Sequence, residues 1–580
     1  MNKSSILHIP LSQYAFANDE RMLTIRLRTA KDDLTKVTLF YGDRACPRCP
    51  LEMFPLTMKL VACDEDFDYF EVTFSSPYTR VCYYFYIEKE EEWYFYYTDQ
   101  FHKELPHMIL EGHILESRSE YYQYPFLLRS EVIDAPTWFK EAIVYNIFPD
   151  SFASSRRWIA NQSCVLKHKN GTISKSKLGG TIHGVYENLD YIEDLGFTCV
   201  YFNPIFTAGE YHKYDLIDYY QIDPCFGTNE GFKQLVDEIH RRGMKIIIDG
   251  VFNHCGWYFF AFEDVLRNQE SSIYKDWFYQ LTFPVKRPLQ GDEPLTYDCF
   301  AYEKKMPKLN TASLEVQEYF EKVCRYWIRE YHIDGWRLDV ANEIDRNFWR
   351  RFRMAAKSEN PEIVLIGEVW ENSETWLRGD TFDSTMNYEF RNQCRDYFGT
   401  HVISGFAFSK RVIRMLYRYT KNMMLSQLNL LDSHDVSRFK SICSESKQCY
   451  ELSLIFLFLA PGVPCLFYGD ELGVEGITEE DYRKIMPWEE EGCKLWQFVK
   501  KLIQIRRKFI PFDSDFNIQA NNNSTLITLE RRTDTGGVLA VVNSGKETHS
   551  VQIPEGKEVL IEHNMTGNEV LAYGYGIYRI

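Results

Sequence analysis

The sequence predicts an α/β protein in which a (β/α)8 TIM barrel lies between an N-terminal and a C-terminal β-sandwich. Short apolar runs that each end in a carboxylate recur along the middle of the chain, as strands buried on both faces do. Strand-like and helix-like segments alternate there, which favours parallel strands. Both ends of the chain carry short strands separated by polar turns instead.

Length and composition limit the class of protein. A chain of 580 residues is too long for one ordinary domain, and 45% hydrophobic with 26% charged residues is typical of a globular protein. A formal net charge of -17 disfavours nucleic acid and anionic membranes as partners. The sequence shows neither a signal-peptide core nor an apolar stretch of about 20 residues. We therefore expect a cytoplasmic protein that acts on a neutral substrate.

Residues 1–130 are predicted to form the N-terminal β-sandwich. Apolar and polar residues alternate in Leu23–Leu27 and around Tyr69–Phe74, and Val81–Ile87 and Trp93–Tyr97 are strongly aromatic. Such short strands with polar turns are typical of a sandwich. A boundary is predicted just before Pro136, where the pattern changes.

Residues 131–512 are predicted to form the barrel, because eight strand candidates alternate with helical segments there. The candidates are Ile143–Phe148, Thr198–Phe202, Lys245–Asp249, Gly335–Asp339, Ile363–Glu368, Ser384–Tyr388, Gln427–Leu431 and Pro464–Tyr468. The interval from Asp249 to Asp339 exceeds one strand–helix unit, so residues 252–310 are predicted to be an ordered lobe over the active face. Residues 513–580 return to short strands and are predicted to form the second sandwich.

The acids at the strand ends are the candidate catalytic residues: Asp249, Asp339, Glu368 and Asp435. A charge at the end of a buried strand costs desolvation free energy and needs a reason. The carboxyl ends of parallel barrel strands open onto one face, so these acids should converge. Cleaving a bond between two sugars requires two carboxyl groups in different protonation states. The pattern therefore predicts a glycosidase.

Neighbouring residues suggest how the acids differ. Arg337 and Asp339 share one face of a strand, so the guanidinium should favour the ionised carboxylate that a nucleophile needs. Trp370 can desolvate Glu368, which suits a general acid. A structural salt bridge and a helix cap are the alternative interpretations of these two acids. His254 and His434 are candidate donors to sugar hydroxyls, or else ordinary core or surface histidines.

Metal chemistry is not indicated. The sequence has no HExxH motif, and its scattered His and Asp residues do not form the compact oxygen shell that calcium needs. The 15 cysteines are odd in number and irregularly spaced, which argues against a disulfide framework.

Four segments resemble the signature regions of the alpha-amylase family: Asp249–His254, Gly335–Val340, Gly367–Trp370 and Ser433–Asp435. Met306–Asn310 and Val340–Glu343 are similar to the subgroup of neopullulanases, cyclomaltodextrinases and maltogenic amylases. His212–Asp215 and Tyr468–Glu471 also fit this subgroup. The resemblance covers the whole chain, including an N-terminal domain of the starch-binding type.

The resemblance implies retaining hydrolysis of α-1,4, and also α-1,6, glucosidic bonds in cyclodextrins, short maltooligosaccharides, pullulan or starch, with transfer to sugar acceptors. Asp339 would be the nucleophile, Glu368 the acid and then the base, and Asp435 the stabiliser of the distorted sugar. Further substrate-binding residues would be Tyr214, His254, Arg337, His434, Trp370 and Arg483. The subgroup also implies a homodimer in which the N-terminal domain covers the partner's active site.

The sequence departs from the family pattern in a few places. Phe152–Arg157 stands where many relatives carry a calcium loop, and it has two arginines and no carboxylate. Gly179–Ile182 lacks a usual acid, Asn146 replaces a usual glutamine, and Glu479 replaces a usual aspartate near Arg483. We therefore predict no cofactor and no metal.

Two other functions stay open on this fold. One is a non-catalytic glucan-binding protein, which the presence of all three catalytic carboxylates argues against. The other is a different enzyme, such as an isomerase or an α-1,6-specific glucosidase, because fold alone does not fix function. The segments Met306–Asn310 and Val340–Glu343 argue against it.

Overall fold

The structure is a computed structural model that describes residues 1–47, 50–106, 120–155, 163–167, 173–288, 293–443, 446–522 and 524–580. The chain forms two compact units. The first contains Met1–Asp134, Ile403–Leu425 and Ile518–Ile527, and the second contains Ala135–Val402, Ser426–Asn517 and Thr528–Ile580.

The N-terminal part of the first unit is a pair of β-sheets around an apolar core. One sheet has the strand order Ala15–Ala17, Met22–Ala30, Phe67–Ser75 and Lys59–Cys63. The other has the order Phe54–Thr57, Lys36–Asp43, Val81–Lys89, Glu92–Tyr97 and Gln100–His102, with Tyr122–Tyr124 beside Val81–Lys89. The fully buried apolar residues Leu23, Ile25 and Leu27 alternate with the polar residues Thr24 and Arg26, which is the two-residue period of a strand.

Eight parallel strands in the second unit close into a barrel. They are β1 (Val144–Ile147), β2 (Cys199–Phe202), β3 (Lys245–Gly250), β4 (Gly335–Leu338), β5 (Val364–Gly367), β6 (Ser384–Asn387), β7 (Leu428–Asn429) and β8 (Val463–Phe467). All four residues of β4 and of β5 are buried, as expected for strands covered on both faces. The predicted fold class is confirmed.

Amphipathic helices connect the strands. In the helix Asn229–Arg241, the buried residues Phe232, Leu235, Val236 and Ile239 recur at helical spacing, and Thr228 caps the first turn by accepting a hydrogen bond from the Gly231 N–H. The longer helices of this unit are Leu189–Leu195, Asn229–Arg241, Phe260–Asn268, Leu314–Tyr331, Arg346–Glu359, Tyr388–Cys394, Gln448–Leu459 and Lys494–Phe509. The last of these precedes the C-terminal strands.

Two short antiparallel pairs lie beside the barrel: Cys164–Lys167 with Ile173–Ser176, and Phe206–Ala208 with Leu216–Ile222. The segment between β3 and β4 carries the helix Phe260–Asn268 and isolated bridges that join His254 to Lys308 and Phe278 to Leu309.

The C-terminal strands pair as one six-stranded sheet: Asp515–Gln519, Leu526–Thr533, Gly536–Asn543, His549–Ser550, Glu558–Thr566 and Glu569–Arg579. None of the helices in the described part of the chain combines the length and the apolar character that crossing a bilayer requires.

Candidate active site

A cavity of about 520 Å³ is lined by residues that follow the carboxyl ends of the barrel strands. Asp339 follows β4 by one residue and Glu368 follows β5 by one residue, while Asp435 lies in the segment after β7. The residues that line it are His212, Tyr214, His254, Phe300, Met306, Asp339, Val340, Asn342, Glu343, Glu368, Trp370, Asp435, Glu479 and Arg483. Three acids from separate strands therefore face one pocket, at the end of a barrel where active sites are built.

Arg337 is the fully buried cation that connects these acids. Its Nη1 donates to Asp249 at 2.9 Å and to Asp339 Oδ1 at 2.7 Å. Its Nη2 lies 2.8 Å from Glu368 Oε2, but without the alignment of a hydrogen bond. The two acids predicted to be nucleophile and proton donor thus contact adjacent nitrogens of one guanidinium. This arrangement is compatible with the ~5–5.5 Å carboxyl separation of retaining glycosidases.

Burial favours the protonated form of two of these acids, Asp339 and Asp249. Burial raises the pKa of Asp339 well above its usual range, and the neighbouring carboxylates act in the same direction while Arg337 acts against them. Burial likewise raises the pKa of Asp249. From sequence we expected Arg337 to dominate at Asp339, but the guanidinium is shared among four carboxylates within 4.0 Å. The raised pKa values of Asp339 and Asp249 favour a retained proton among the acids around Arg337 in the free enzyme.

Glu368 is held by two donors. The Val340 N–H donates to Oε2 and the Trp370 indole donates to Oε1, both at 2.9 Å. Val340 has a φ of 45°, a left-handed conformation that is strained for a β-branched residue. Strain of this kind is found where a backbone group must be aimed, and here it directs an amide at the carboxyl of Glu368.

Asp435 is kept ionised by its neighbours. Its Oδ2 lies 3.0 Å from His434 Nε2, and its Oδ1 lies 3.5 Å from Arg483 Nη2. Burial opposes the charge, but the attraction of His434, Arg337 and Arg483 prevails and lowers the pKa of Asp435 to about 2. This carboxylate is therefore a fixed negative charge beside the other two acids.

Tyr214 is one of the aromatic residues that line the cavity. Its ring stacks on His434 at a centroid distance of 5.5 Å, and its hydroxyl donates to Asp249 at 3.1 Å. His434 is fully buried, and its Nδ1 lies 2.8 Å from the Asn203 amide nitrogen. Tyr214 lines the cavity, whereas His434 and Arg337 are fully buried and contact the lining residues.

His254 presents an unused polar atom. Its Nε2 is buried and has no hydrogen-bond partner among the described residues, its ring stacks on Phe300 at 4.9 Å, and it lines the cavity. Burial lowers the pKa of His254 to about 3, so the ring is neutral at physiological pH. An orphaned nitrogen at a cavity wall is suited to bind a sugar hydroxyl, because a buried polar group without a partner is costly.

Trp370 and Arg483 both line the cavity, but Trp370 is half exposed and Arg483 is buried. Trp370 is 48% exposed, stacks on Tyr388 at 4.0 Å and donates to Glu368. The Arg483 Nε donates to the His434 carbonyl at 2.7 Å, and Nη1 donates to Glu479 at 2.5 Å. The structure therefore brings all nine sequence-derived site residues to the cavity or into contact with its lining.

Two residues of the site, Asp249 and Glu479, were noted from sequence without a role in the reaction, and Phe300 was missed. Asp249 binds Arg337, and its position at the end of an apolar run was the signal. Glu479 binds Arg483, and its replacement of a usual aspartate was the signal. Phe300 reaches the cavity from the long segment after β3, and nothing in the local sequence marks it.

The segment that replaces the calcium loop is only partly described, since Arg156 and Arg157 lie outside the described residues. Within the described residues, no group of three or more His, Cys, Asp or Glu side chains is arranged to hold a metal ion. The absence of a cofactor stays a prediction.

Comparison with known proteins identifies the family. The family model for the alpha-amylase catalytic domain matches residues 146–491, and that for the alpha-amylase N-terminal Ig-like domain matches residues 1–127. Neopullulanase 2 of Thermoactinomyces vulgaris is 38% identical over 98% of this chain and 95% of its own. The intracellular maltogenic amylase of Bacillus subtilis (strain 168) is 35% identical over 96% and 93%. A solved cyclomaltodextrinase structure superimposes with a TM-score of 0.89 at 35% identity and covers 100% of both chains.

With this barrel, these strand-end acids and matches that span the chain, the protein belongs to the alpha-amylase family of glycoside hydrolases, in the subgroup of cyclomaltodextrinases, neopullulanases and maltogenic amylases.

Proposed function

We propose that this protein hydrolyses α-1,4, and also α-1,6, glucosidic bonds with retention of configuration, and that Asp339, Glu368 and Asp435 carry out the reaction. One observation carries the proposal: Asp339 and Glu368 contact adjacent nitrogens of Arg337 in a cavity that also contains Asp435. A nucleophile and a proton donor on either side of one sugar is the arrangement that a retaining glycosidase requires.

In the first step, Asp339 attacks the anomeric carbon as a carboxylate while Glu368 gives its proton to the leaving oxygen. The proton that burial favours on the acids around Arg337 must therefore lie on Glu368, and not on Asp339, when this step begins. The bond to the leaving sugar breaks as the bond to Asp339 forms, so the leaving sugar departs as a neutral alcohol. Asp435 stabilises the positive charge that develops on the ring, since its own pKa is held at about 2. The Trp370 indole and the Val340 amide keep Glu368 oriented toward the leaving oxygen.

In the second step, Glu368 removes a proton from water, the water attacks the anomeric carbon and the Asp339 carboxylate leaves. The same step with a sugar hydroxyl gives transfer instead of hydrolysis. Trp370 stands beside Glu368 and is half exposed, so an acceptor sugar can stack on it.

We propose cyclodextrins, short maltooligosaccharides, pullulan and starch as the substrate class, because relatives across the whole chain carry the names cyclomaltodextrinase, neopullulanase and maltogenic amylase. Chromatography of the products from each glucan, with NMR of the first anomer released, tests both the class and the retention. Release of the β-anomer from an α-glucan, or no release of sugar, would contradict the proposal.

The alternative of a non-catalytic glucan-binding protein is tested by Glu368→Gln. Loss of the general acid should lower kcat by roughly 10²–10⁴-fold, while binding of β-cyclodextrin measured by calorimetry is retained. If the variant and the parent enzyme had the same kcat, Glu368 would not be the general acid.

We further propose that the enzyme needs no calcium. The Lys213 ammonium lies 3.0 Å from Asp223 Oδ2, 3.1 Å from Ser174 Oγ and 2.5 Å from the Lys175 carbonyl. Carboxylate, hydroxyl and carbonyl oxygens are the ligands that calcium prefers, and here an internal cation occupies them.

We also propose a cytoplasmic homodimer. The relative named intracellular maltogenic amylase supports the compartment, and the subgroup resemblance supports the dimer. Light scattering behind a sizing column measures the mass directly: twice the 68.8 kDa of one chain is expected, and a monomer at micromolar concentration would contradict the dimer.

A further inference from the structure

A second large cavity lies at the amino end of the barrel strands. Its volume is about 590 Å³, compared with about 520 Å³ for the active-site cavity. Ile143 precedes β1, Thr198 precedes β2 and Lys245 begins β3, and all three line this cavity. The other lining residues are Trp138, Lys140, Glu141, Gly243, Arg506, Arg507, Ile510, Pro511, Phe512 and Asp513. A barrel enzyme carries out its chemistry at the opposite end, so the reaction does not explain this cavity.

Cations outnumber acids in the lining of this cavity. It contains four cations and two acids: Lys140, Lys245, Arg506, Arg507, Glu141 and Asp513. Both acids are exposed to solvent, whereas Lys140 and Arg506 are buried. Because water screens an exposed charge far more than a buried one, the inner wall of the cavity is positive. A positive cavity in a chain with a net charge of -17 favours an anionic ligand.

Arg506 is a buried cation that lacks a counter-ion among the described residues. Its Nη1 donates to the carbonyls of Phe458 and Ala460 at 2.7 and 3.1 Å, and its Nη2 donates to the Gly462 carbonyl at 2.5 Å. Burial lowers the pKa of Arg506 to about 10, so the guanidinium is still charged at neutral pH. The three carbonyls satisfy its hydrogen bonds but leave its charge unbalanced.

A second buried arginine lies close to Arg506. Arg531 donates to neutral oxygen atoms, those of Ser514, Leu459, Pro511 and Phe512. Burial lowers the pKa of Arg531 to about 9, and the charge of Arg506 acts in the same direction. Neither arginine forms an ion pair within the part of the chain that the structure describes. Buried charges are normally paired, so two unpaired cations beside a cavity indicate that an anion completes the site.

Arg507 places a third guanidinium at the cavity. It is exposed, and its hydrogen bond within the described residues goes to the Gly196 carbonyl at 3.5 Å. Lys245 differs, because its ammonium already pairs with Asp334 at 2.7 Å. The arginines therefore supply the charge that a ligand would meet, and a guanidinium matches the geometry of phosphate oxygens.

Trp138 gives the cavity a flat apolar surface. Its ring is half-buried, and its indole donates to the Glu362 carbonyl at 2.8 Å, which fixes the orientation of the ring. The apolar face of a sugar ring can stack on such a surface. The exposed carboxylates of Glu141 and Asp513 can accept hydrogen bonds from sugar hydroxyls, and they would repel a ligand that carries several phosphates.

We propose that this cavity binds a phosphorylated monosaccharide, with Arg506 and Arg507 as partners of the phosphate and Trp138 as the support of the sugar ring. The volume of the cavity lies within the range of about 300–1,000 Å³ that is usual for small-molecule sites. The ligand would bind at the end of the barrel opposite the catalytic acids. This inference does not depend on the proposed hydrolase function, because its test measures binding.

Calorimetric titration of the full chain with glucose 6-phosphate tests the inference. We expect a Kd below about 1 mM and a melting temperature that rises with the ligand concentration. Inorganic phosphate should bind at least roughly tenfold more weakly, because it lacks the sugar, and AMP should also bind more weakly. Equal or tighter binding of inorganic phosphate or AMP would overturn the assignment of a monosaccharide.

Arg507→Glu should weaken the binding of glucose 6-phosphate by roughly tenfold or more, because it replaces a cation at the phosphate by an acid. Lys508→Glu is the matched control: it makes the same change in charge at an exposed neighbour that does not line this cavity. Arg507 is exposed, so the melting temperature and the hydrolysis of β-cyclodextrin should stay at the values of the parent protein in both variants.

Trp138→Ala should weaken the binding of glucose 6-phosphate and leave that of inorganic phosphate unchanged. An equal Kd for glucose 6-phosphate in Arg507→Glu and Lys508→Glu would overturn the inference, since the ligand would then bind elsewhere. So would the absence of binding to the parent protein at concentrations up to roughly 10 mM. Either result would leave the proposed hydrolase function intact.

Discussion

Two clusters of buried charged side chains in the barrel unit differ in how many carboxylates share one cation. Around Lys213, one ammonium meets one carboxylate, and both are fully buried. Asp223 also accepts hydrogen bonds from the Ser174 hydroxyl and from the N–H groups of Cys225 and Ala208. Around Arg337, one guanidinium meets four carboxylates, and no residue in the described part of the chain forms an aligned hydrogen bond with its Nη2.

The difference separates a structural ion pair from a reactive one. The Lys213 cluster is balanced in charge and its carboxylate is well satisfied, so removing either partner costs free energy and no reactive group is left over. The Arg337 cluster has an excess of negative charge that keeps a proton in the site and leaves oxygen atoms facing the cavity. Charge that the fold leaves unbalanced is available for catalysis, whereas balanced charge stabilises the fold.

Asp339→Asn tests this contrast with the largest expected effect. Without the nucleophile, kcat on β-cyclodextrin should fall by roughly 10⁴-fold or more. Binding should persist, and the melting temperature should stay equal or rise, because one of four mutually repelling acids is neutralised. Rate assays with calorimetry and thermal unfolding measure the three quantities. A large drop in melting temperature would mean that Asp339 stabilises the fold. The Arg337 cluster would then not differ from the Lys213 cluster in this respect.

Lys213→Met should have the opposite pattern. It leaves Asp223 buried without a counter-ion, so the free energy of unfolding should fall by roughly 3–5 kcal/mol in a urea titration. Lys175→Met is the matched control, since its ammonium pairs with Glu210 and is 43% exposed, and surface pairs contribute only ~0–1 kcal/mol. Adding Asp223→Asn to Lys213→Met should recover part of the loss. Equal effects of the two lysine variants would contradict the assignment of Lys213 as a structural cation.

The pH dependence of the free energy of unfolding provides a further test of the residues around the Arg337 cluster. Burial lowers the pKa of His254 to about 3 and that of His212 to about 4. The unfolded chain binds these protons near pH 6.5 and the folded chain does not, so stability should fall as pH decreases from about 6.5 to 4. Each histidine contributes a slope of about 1.4 kcal/mol per pH unit.

In urea titrations between pH 4 and pH 7, His254→Gln should lower the slope of the free energy of unfolding against pH. The decrease should equal the contribution of one histidine proton, about 1.4 kcal/mol per pH unit. Asp435 acts at lower pH: its folded pKa of about 2 is below its usual 3.8, so the stability it contributes is present above about pH 3.8 and is lost as pH falls toward 2. A slope that is identical in His254→Gln and the parent protein would contradict a neutral, buried His254.

Chelation gives the smallest expected effect. If Lys213 supplies the cation of its cluster, EDTA should leave the melting temperature unchanged within the error of calorimetry. Added calcium should not raise it either, because a ligand stabilises only the state that binds it. A drop of several degrees with EDTA, reversed by calcium, would show that a metal ion contributes to the fold.

Much of the barrel could be predicted from local sequence. The eight strand candidates agree with β1 to β8 to within one or two residues at each end, because buried parallel strands are continuous apolar runs. Gly335–Asp339 illustrates the error: β4 ends at Leu338, and the acid lies just beyond the paired residues. The short strand β7 covers only Leu428–Asn429, since its length is set by pairing with its neighbours and not by its own residues.

The sequence by itself determined the barrel, the acids at the ends of its strands and the family, because periodicity and motifs are local properties of the chain. The tertiary structure alone decided how charge is shared. It made Arg337 the common partner of four acids, joined Lys213 to Asp223, and brought Tyr211 to Glu479 across a separation of 268 residues. Such contacts depend on which side chains meet when distant segments pack, and desolvation in that packing outweighs the influence of sequence neighbours, as the raised pKa of Asp339 shows.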